Sequence, residues 1–514
     1  MRRVVDVFNY IIALCLFVAG LVVLAVSSVT TIYYDMGYDV DWPQYGMENI
    51  PLLVLLMVFV LGVFLLLMKK EAFAKHSNAF MYIGLGFIVA YCMLLILGIH
   101  PQAVNDSKTL DDIINQFVDG DYSSLTDKGG YLFIWPFQLG YVAFGQIMAG
   151  IFGKSNYFAW DIVQLVSILI TVYLIYKLTW EFFEDKEVCG VSALLSCGAL
   201  FFYNYVTYIY GDILSMAPQT VALYTMVLYV KRGRKRYAVI SAVSIAAAIL
   251  IKTNCEITMI SLLMVLVGST FVAESELPFC KRLIQNLILA AFMLAVVFAA
   301  KGAMNAYYCN LTGLEKIPDG SPAWSHIAMG LQESDLEDGW YNGYNYHVFG
   351  ENGYDSVATA KAAKENIKQT LLEFTNRPLH GASFFVRKFT TQWADSVCIS
   401  THNLDLVSRH VENQPAICNY LVFGSAYGCP LLIWIMNVFM PVCYIGVAIY
   451  LFGILRGRKP SVSEMLLLIL IFGGIIFHEF WEGSSRYTMR YYIYYMPFGA
   501  YGLKVLLGNI CKHN

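Results

Sequence analysis

The sequence predicts an all-α, polytopic membrane protein, and both composition and hydropathy lead to that prediction. Of the 514 residues, 58% are hydrophobic and only 14% are charged, which is far from the balance of a soluble domain. Stretches such as "IIALCLFVAGLVVLAVSSV" and "IPLLVLLMVFVLGVFLLLM" reach the roughly 20 residues that a helix needs to cross a bilayer. Similar stretches follow along the whole chain, so the first is not a simple cleaved signal peptide.

Clusters of lysine and arginine predict how the chain is threaded, because these residues accumulate in short cytoplasmic loops. The clusters lie at 2–3, 69–70, 231–236, 281–282 and 456–459. All of them are cytoplasmic if the chain crosses about twelve times with both termini inside the cell. The predicted spans lie near 8–31, 51–69, 79–99, 156–178, 188–206, 213–230, 237–252, 256–273, 283–302, 427–452, 463–481 and 489–508.

The apolar segment 131–152 does not fit this threading as a full crossing, because a crossing there would expose "KRGRKR" outside. We therefore predict a re-entrant or interfacial helix on the outer face. The chain then divides into N-terminal transmembrane helices, an outer loop, a central bundle, an extracytoplasmic segment and C-terminal transmembrane helices, at 1–100, 101–154, 155–302, 303–426 and 427–514.

The extracytoplasmic segment is far more polar than its surroundings and is predicted to be small and mostly helical. Within it, "DSVATAKAAKENIKQTLLEF" is typical of a soluble helix with Asp355 as its N-cap, and "NRP" follows where the helix should stop. The net charge of −3 gives no sign of a nucleic-acid partner. The twelve cysteines form no CxxC or Cys/His pattern and are interpreted as small core residues.

The outer loop at 101–154 carries several aspartates beside the membrane. In "TLDDIINQFVDG" the apolar residues recur at helical spacing, which predicts a short amphipathic helix on the interface whose carboxylates are simply solvated. Asp106 differs, because it lies in the turn between the preceding span and that helix, where a cavity would open. Charged residues at such a boundary usually line a cavity.

Five stretches, in order along the chain and on one predicted side of the membrane, together resemble one family. They are "NDS…DDIINQFVDGDYSSL…GGYLFIWPFQLG", "YIYGDI", "LIKTN", "SPAWSHIAMGL…GWYNGYN" and "HEFWEGSSRY" with "YYMPF". This series is similar to the GT-C superfamily of membrane glycosyltransferases, which includes protein O-mannosyltransferases and aminoarabinose transferases. It is most similar to bacterial members proposed to decorate cell-surface polymers. Two features depart from that pattern: Trp135 stands where a tyrosine is more usual, and two additional spans precede the Asp106 loop.

The resemblance implies inverting transfer of a sugar from a polyprenyl-phosphate donor to an acceptor hydroxyl. Such a hydroxyl needs a base, and Asp106 is the candidate. The leaving phosphate needs cations, for which the candidates are Lys252, Arg486 and Lys388. Further substrate contacts are implied at Gln138, Tyr210, Asp212, His326, Glu482 and Tyr487.

Other interpretations of these residues stay open. Lys252 could merely extend from a helix end toward the interface, and Arg486 could pair with Glu482 four residues away. No cofactor is certain. A divalent ion held by Asp106 and Asp212, with Glu482 or His478 as further ligands, is an alternative.

The sequence therefore predicts a glycosyltransferase of the plasma membrane with an extracytoplasmic active site. Its acceptor would be a surface glycan, a teichoic-acid-like polymer, a lipid or a protein, and an enzyme that makes the donor and a flippase that delivers it would be its partners. The rival predictions are a transporter or flippase for lipid-linked saccharides and a non-catalytic assembly protein. A carrier should keep ionisable residues near the middle of the membrane, whereas the charges here cluster at one face.

Overall fold

The structure, a computed structural model, describes residues 2–272 and 278–513, and helices account for most of them. Within these ranges, nine helices are long and apolar enough to cross a membrane, and the number rises to eleven if two bent helix pairs each count as one span. The predicted all-helical, multi-pass architecture is confirmed, with slightly fewer clear spans than predicted.

The helices are numbered in chain order. Before the gap they are α1 (Arg2–Ser27), α2 (Ile50–Lys69), α3 (Ala72–Ile99), α4 (Asn105–Val118), α5 (Ser123–Thr126), α6 (Tyr131–Ile134), α7 (Leu139–Phe152), α8 (Tyr157–Phe183), α9 (Lys186–Cys197), α10 (Leu200–Asn204), α11 (Gly211–Leu214), α12 (Met216–Arg232), α13 (Lys235–Ile251) and α14 (Glu256–Val272). After the gap they are α15 (Phe279–Thr312), α16 (Ala323–Gly330), α17 (Tyr344–Glu351), α18 (Ser356–Asn376), α19 (Pro378–Trp393), α20 (Ser400–Ser408), α21 (Ala416–Phe423), α22 (Pro430–Leu455), α23 (Val462–Phe480) and α24 (Ser485–His513). Short 3-10 turns lie at Pro136–Gln138, Tyr205–Thr207 and Thr253–Cys255.

Each predicted span coincides with a helix or a helix pair over most of its length. The span at 8–31 runs past the end of α1 at Ser27, and residue 273 of the span at 256–273 lies outside the described residues. Two spans differ in kind from the prediction. The span at 188–206 is a pair of helices bent by 56°. The span at 489–508 lies in α24, where Arg490 and the tyrosines at 491, 492, 494 and 495 are buried inside the protein.

The segment predicted not to cross is also bent. Helices covering Ser123–Ile134 and Pro136–Phe152 meet at 97°, and Pro136 lies at the break. Proline disfavours helical backbone at the residue before it, which explains why the chain turns after Trp135. The geometry agrees with a re-entrant or broken helix.

A β-hairpin between α1 and α2 was not predicted. Strand β1 (Thr30–Tyr34) pairs antiparallel with β2 (Pro43–Met47), in a register that runs from Thr30 opposite Met47 to Tyr34 opposite Pro43. The β-branched and aromatic residues of "TTIYY" favour a strand. The predicted span at 8–31 includes the first two residues of this strand.

The polar segment at 303–426 is helical, as predicted. The Asp355 side chain accepts hydrogen bonds from the backbone N–H groups of Val357 and Ala358, at 2.8 and 2.9 Å, so the predicted N-cap is confirmed. Helix α18 ends at Asn376, and Pro378 begins α19.

The predicted basic clusters and the predicted site lie at opposite ends of the bundle, because helices such as α12 run from one to the other. At the basic end, Lys231 pairs with Glu184 at 2.7 Å and Lys459 pairs with Asp6 at 3.0 Å.

Helices α22 and α24 pack closely through glycines. A Cβ added at Gly446 would lie 2.0 Å from the backbone oxygen of Gly499, and one added at Gly502 would lie 1.8 Å from the backbone oxygen of Gly446. Small residues let membrane helices approach until their backbones touch. This contact fixes α24, which carries Arg486 at its other end.

We expect Gly502→Ala to destabilise the folded protein by about 2 kcal/mol, because the new methyl group would push α24 away from α22. Thermal unfolding in detergent would measure the change. Gly62→Ala is the matched control, since a Cβ at Gly62 in α2 would meet no atom within 4 Å. An equal effect of both substitutions would contradict the expectation.

Candidate active site

Four segments meet at one end of the bundle and bring together residues that are far apart in the sequence. They are the first turn of α4 with Asp106, the segment before α12 with Tyr208 to Asp212, the α13–α14 turn with Lys252, and the α23–α24 connection with the first turn of α24, which together carry Glu482 to Tyr487.

A buried ion cluster lies at the centre of this end. The Nζ of Lys252 lies 3.2 Å from Oδ1 of Asp212, and a guanidinium nitrogen of Arg490 lies 3.4 Å from the same oxygen. Both Asp212 and Arg490 are 2% exposed. Arg490 also donates to Ser215 Oγ at 3.2 Å. The predicted site residues Asp212 and Lys252 therefore lie together, and Lys252 does not extend freely into solvent.

The close approach of two backbones makes this pairing possible. A Cβ at Gly211 would lie 2.8 Å from the carbonyl oxygen of Ile251 and 3.4 Å from Cδ of Lys252. Only glycine leaves room for the α13–α14 turn to lie against α11. The "YGD" and "IKT" motifs therefore pack on each other, which places the carboxylate beside the ammonium group.

Aromatic residues surround the Lys252 ammonium group. Its Nζ lies 4.3 Å from the ring centroid of Tyr210 and 5.8 Å from that of Tyr487, at cation–π distances. The Tyr210 hydroxyl accepts a hydrogen bond of 2.6 Å from Nε2 of Gln138. Four of the predicted substrate or phosphate contacts are thus neighbours in the structure.

Arg486 is a cation that forms no ion pair with any carboxylate of the described chain. Its guanidinium lies over the rings of Tyr208, Tyr210 and Tyr487, at 5.7, 5.4 and 5.2 Å from their centroids. It makes only long hydrogen bonds to the hydroxyls of Tyr208 and Tyr487, at 3.3 and 3.4 Å. Glu482 accepts from Tyr487 at 2.9 Å and is not paired with Arg486, so the i,i+4 alternative is not what the structure shows.

Asp106 lies in the first turn of α4, where the helix dipole favours a negative charge. The residue is exposed, and within the described chain its carboxylate has no hydrogen bond or ion pair. It nevertheless acts electrostatically on Tyr208 and Tyr210, the tyrosines that lie beneath Arg486. A free carboxylate and an unpaired guanidinium therefore both act electrostatically on the same two tyrosines.

The charged groups of the site shift the pKa values of neighbouring side chains. Burial raises the pKa of Tyr208 to about 12, against the effect of Arg486 and with that of Asp106. Burial also raises the pKa of Glu482, and the carboxylates of Asp106 and Asp41 add to the rise. Asp41, in the hairpin turn, is therefore a further carboxylate that acts electrostatically on the site.

His326 lies in an aromatic environment rather than among charged groups. Its ring stacks on Trp481 at 4.8 Å and meets the edge of Trp135 at 5.4 Å, and its Nδ1 lies 3.1 Å from Nδ2 of Asn345. Burial lowers the pKa of His326 to about 4. The neutral ring joins the bent segment at Trp135 to the α23–α24 connection.

The structure favours a structural role for Lys388 over the predicted role at the donor phosphate. The side chain is fully buried, and its Nζ donates to the carbonyl oxygens of Gly330 and Trp481, the second at 2.7 Å. Burial lowers the pKa of Lys388 to about 8. From sequence alone, its place in "FVRKFTTQW" gave no sign that the ammonium group would be enclosed by backbone.

A metal site is not supported by the described residues, among which no group of three or more His, Cys, Asp or Glu side chains could hold an ion. Asp212, one of the two proposed ligands, is already paired with Lys252 and Arg490. His478 is fully buried and stacks on Tyr487 at 5.4 Å. The ligand set suggested by the sequence therefore does not come together.

Sequence reasoning missed Arg490, Tyr208 and Asp41. Arg490 carried a usable signal, because it follows Arg486 by one helical turn in "RYTMRYY" and so lies on the same face of a helix predicted to be in the membrane. Asp41 carried none, since its position depends on the unpredicted hairpin.

Residues 139–304 match a family model described as dolichyl-phosphate-mannose-protein mannosyltransferase. The match runs from α7 into α15, so it includes Asp212 and Lys252 but neither Asp106 nor Arg486. It confirms, for this part of the chain, the resemblance to GT-C glycosyltransferases that the motifs indicate. No curated protein shows significant similarity to the chain.

Solved structures also resemble the chain, but weakly. One is the oligosaccharyltransferase AglB from Archaeoglobus fulgidus, solved with an inhibitory peptide and a dolichol-phosphate; it is 16% identical with a TM-score of 0.41, and the match covers 84% of this chain and 51% of that one. Another is ArnT from Cupriavidus metallidurans bound to undecaprenyl phosphate, at 12% identity and a TM-score of 0.33, covering 81% and 76%. The chain spans about half the length of the archaeal protein.

We expect stability to fall by up to about 3 kcal/mol as the pH falls from 6.5 towards 4, because His326 is harder to protonate in the folded state than in the unfolded state. The contribution is fully present above pH 6.5. Unfolding measured against pH for wild type and His326→Gln should show a shallower loss in the variant. The exposed His347→Gln is the control, and parallel curves for wild type and His326→Gln would contradict the expectation.

We expect Lys388→Met to destabilise the protein by about 2 kcal/mol, because two carbonyl oxygens lose their donor. Binding of a polyprenyl phosphate below the unfolding temperature should be unchanged. Lys368→Met, at a side chain that is 66% exposed, is the control. A large loss of phosphate binding with normal stability would restore the role predicted from sequence.

Proposed function

We propose that the protein is a membrane glycosyltransferase that moves a sugar from a polyprenyl-phosphate donor to a hydroxyl of a cell-surface acceptor, with inversion. The observation that carries the proposal is the juxtaposition of the free Asp106 carboxylate with the unpaired Arg486 guanidinium around Tyr208 and Tyr210. The family match at 139–304 supports the reaction class.

Asp106 is the general base in this proposal. An acceptor hydroxyl becomes a better nucleophile if a carboxylate takes its proton as the new bond forms. The carboxylate of Asp106 is suited to this step because no described side chain occupies it and the residue is open to solvent. Inversion follows if the hydroxyl attacks the anomeric carbon from the face opposite the leaving phosphate.

Arg486 is the principal ligand of the lipid phosphate. A guanidinium can hold two phosphate oxygens at once, and here no described carboxylate competes for it. Lys252 is 11% exposed at its side chain and adds a second positive charge nearby. Developing negative charge on the leaving phosphate would thus meet cations already in place, which lowers the barrier.

Asp212 has a supporting role in this proposal. Its carboxylate pairs with Lys252 and Arg490 rather than with a metal ion, and so holds both cations in position. Gln138, Tyr210, Glu482 and Tyr487 would form the walls around the sugar, since tyrosine rings present apolar faces to its C–H groups. His326 would close the wall beside Trp135.

The orientation and partners belong to the same proposal. The basic clusters at the opposite end support a topology with both termini in the cytoplasm and the site outside. The acceptor would be a surface glycan, a teichoic-acid-like polymer, a lipid or a protein. A donor-synthesising enzyme and a flippase would supply the lipid-linked sugar.

The position of ionisable residues favours this enzyme over a carrier. The buried residues Asp161 and His478 lie within candidate spans, but each is close to the end of its helix at the site. A carrier should instead place such residues near the middle of the membrane. Only an activity measurement distinguishes this enzyme from a non-catalytic assembly protein.

We expect Asp106→Asn to lower the turnover number by at least about 100-fold, because the base is lost while the volume is kept. Transfer from a panel of synthetic polyprenyl-phosphate sugars to surface-polymer extract would measure it. Asp112→Asn, on the same helix with a side chain that is 52% exposed, is the matched control.

The other outcomes would point elsewhere. Equal turnover by wild type and Asp106→Asn would remove Asp106 from the mechanism and keep the reaction class. Donor binding by both proteins without turnover on any acceptor would favour the carrier.

A further inference from the structure

The hairpin β1–β2 joins α1 and α2. These helices form the two additional spans that depart from the family pattern, and the sequence suggests no role for them. The hairpin folds over the site end of the bundle, where its residues contact segments from the C-terminal half. Any role of the hairpin in donor binding rests on the proposed function, because it concerns the group that binds the donor phosphate.

Tyr34, at the end of β1, reaches the start of the last helix. Its side chain is fully buried, and its hydroxyl donates to Oδ2 of Asp395 at 2.8 Å and lies 3.1 Å from Oγ of Ser485. The other carboxylate oxygen of Asp395 accepts from the backbone N–H of Val397 at 2.8 Å. Tyr34 therefore binds a fixed carboxylate and a serine at once.

The hairpin holds Tyr34 firmly because several contacts attach it to the rest of the protein. Asn437 in α22 donates to Thr31 at 2.8 Å and to Glu48 at 2.7 Å, on either side of the hairpin. In the turn, the backbone N–H of Gly37 donates to Asp405 at 2.9 Å. A buried, well-attached side chain can transmit its position to the group that it binds.

Ser485 is the first residue of α24, and Arg486 is the second. The Arg486 guanidinium has only tyrosine rings and two long hydrogen bonds around it, so no strong contact of its own fixes it. Its place depends on where the first turn of α24 begins. That turn is held at Ser485 by Tyr34, and at Thr488 by a 2.9 Å bond to the carbonyl oxygen of Gln392.

We propose that Tyr34 is a positioning residue that sets Arg486 for the lipid phosphate through Ser485 and Asp395. The N-terminal pair of helices thereby becomes part of the active site, since the hairpin between them supplies the hydroxyl. A small displacement of a binding group is costly in a preorganised site. The hydroxyl of Tyr34 therefore contributes to phosphate binding without touching the phosphate.

Binding of a short-chain polyprenyl phosphate to the full-length protein in detergent tests the proposal. We expect Tyr34→Phe to raise the dissociation constant about tenfold, because Arg486 loses its alignment. Tyr38→Phe removes another hydroxyl from the same hairpin, at a residue that is 65% exposed, and should bind as wild type does.

A double-mutant cycle with Arg486→Ala separates positioning from general stability. If Tyr34 acts through Arg486, Tyr34→Phe should change binding by less than about twofold once Arg486 is already alanine. A merely structural role would give the same loss in both backgrounds and would overturn the proposal. Binding by Tyr34→Phe at the wild-type level would overturn it too.

A second variant and two further outcomes complete the test. If Tyr34→Phe does not fold, Ser485→Ala removes the bridging hydroxyl and should give the same tenfold loss and the same dependence on Arg486. Wild-type protein that binds no polyprenyl phosphate would overturn both this inference and the proposed donor. Normal binding by Tyr34→Phe alongside lost turnover by Asp106→Asn would overturn this inference alone.

Discussion

One carboxylate shared by two cations is the interaction on which the site depends. Asp212, Lys252 and Arg490 are all buried, and each charge alone would be costly inside a membrane protein. Because they come from α11, the end of α13 and the first turns of α24, their pairing fixes three separate parts of the chain at one point. Tyr210 lies two residues before Asp212, and Arg486 lies one helical turn before Arg490. The cluster therefore also helps to position Tyr210 and Arg486.

The buried part of the site carries more cations than carboxylates. The buried cluster carries one more cation than carboxylate, and Arg486 adds a second unbalanced positive charge beside it. Asp106 is exposed, and Asp106 and Asp41 both act electrostatically on Tyr208 and on Glu482. The interior is thus positively charged and the rim carries free carboxylates, which is the arrangement that the proposed function requires. Opposite fields at the two ends of a cleft favour one orientation of a substrate that has an anionic end.

The sequence was sufficient for features that depend on local pattern. Apolar stretches predicted where the helices lie, Asp355 was recognised as a cap, and ordered motifs identified Asp106, Asp212, Lys252 and Arg486 as candidates that the fold indeed brings together. Features that depend on distant contacts were beyond it. The enclosure of Lys388 by two carbonyl groups, the pairing of Arg490 with Asp212 and the hairpin all arise from residues that meet only in the folded chain. The span at 489–508 was predicted even though its first half carries an arginine and several tyrosines, which are buried against protein.

The contact between Tyr34 and Ser485 spans 451 positions of the chain, which has a consequence for biosynthesis. At about 5–20 residues per second, a ribosome needs on the order of half a minute or more to reach the partner of a tyrosine that was made near the start. The hydroxyl of Tyr34 must therefore wait for Ser485 until the last helix has been made. Under the proposed function, a nascent chain that lacks α24 also lacks Arg486 and so has no assembled site with which to bind the donor lipid.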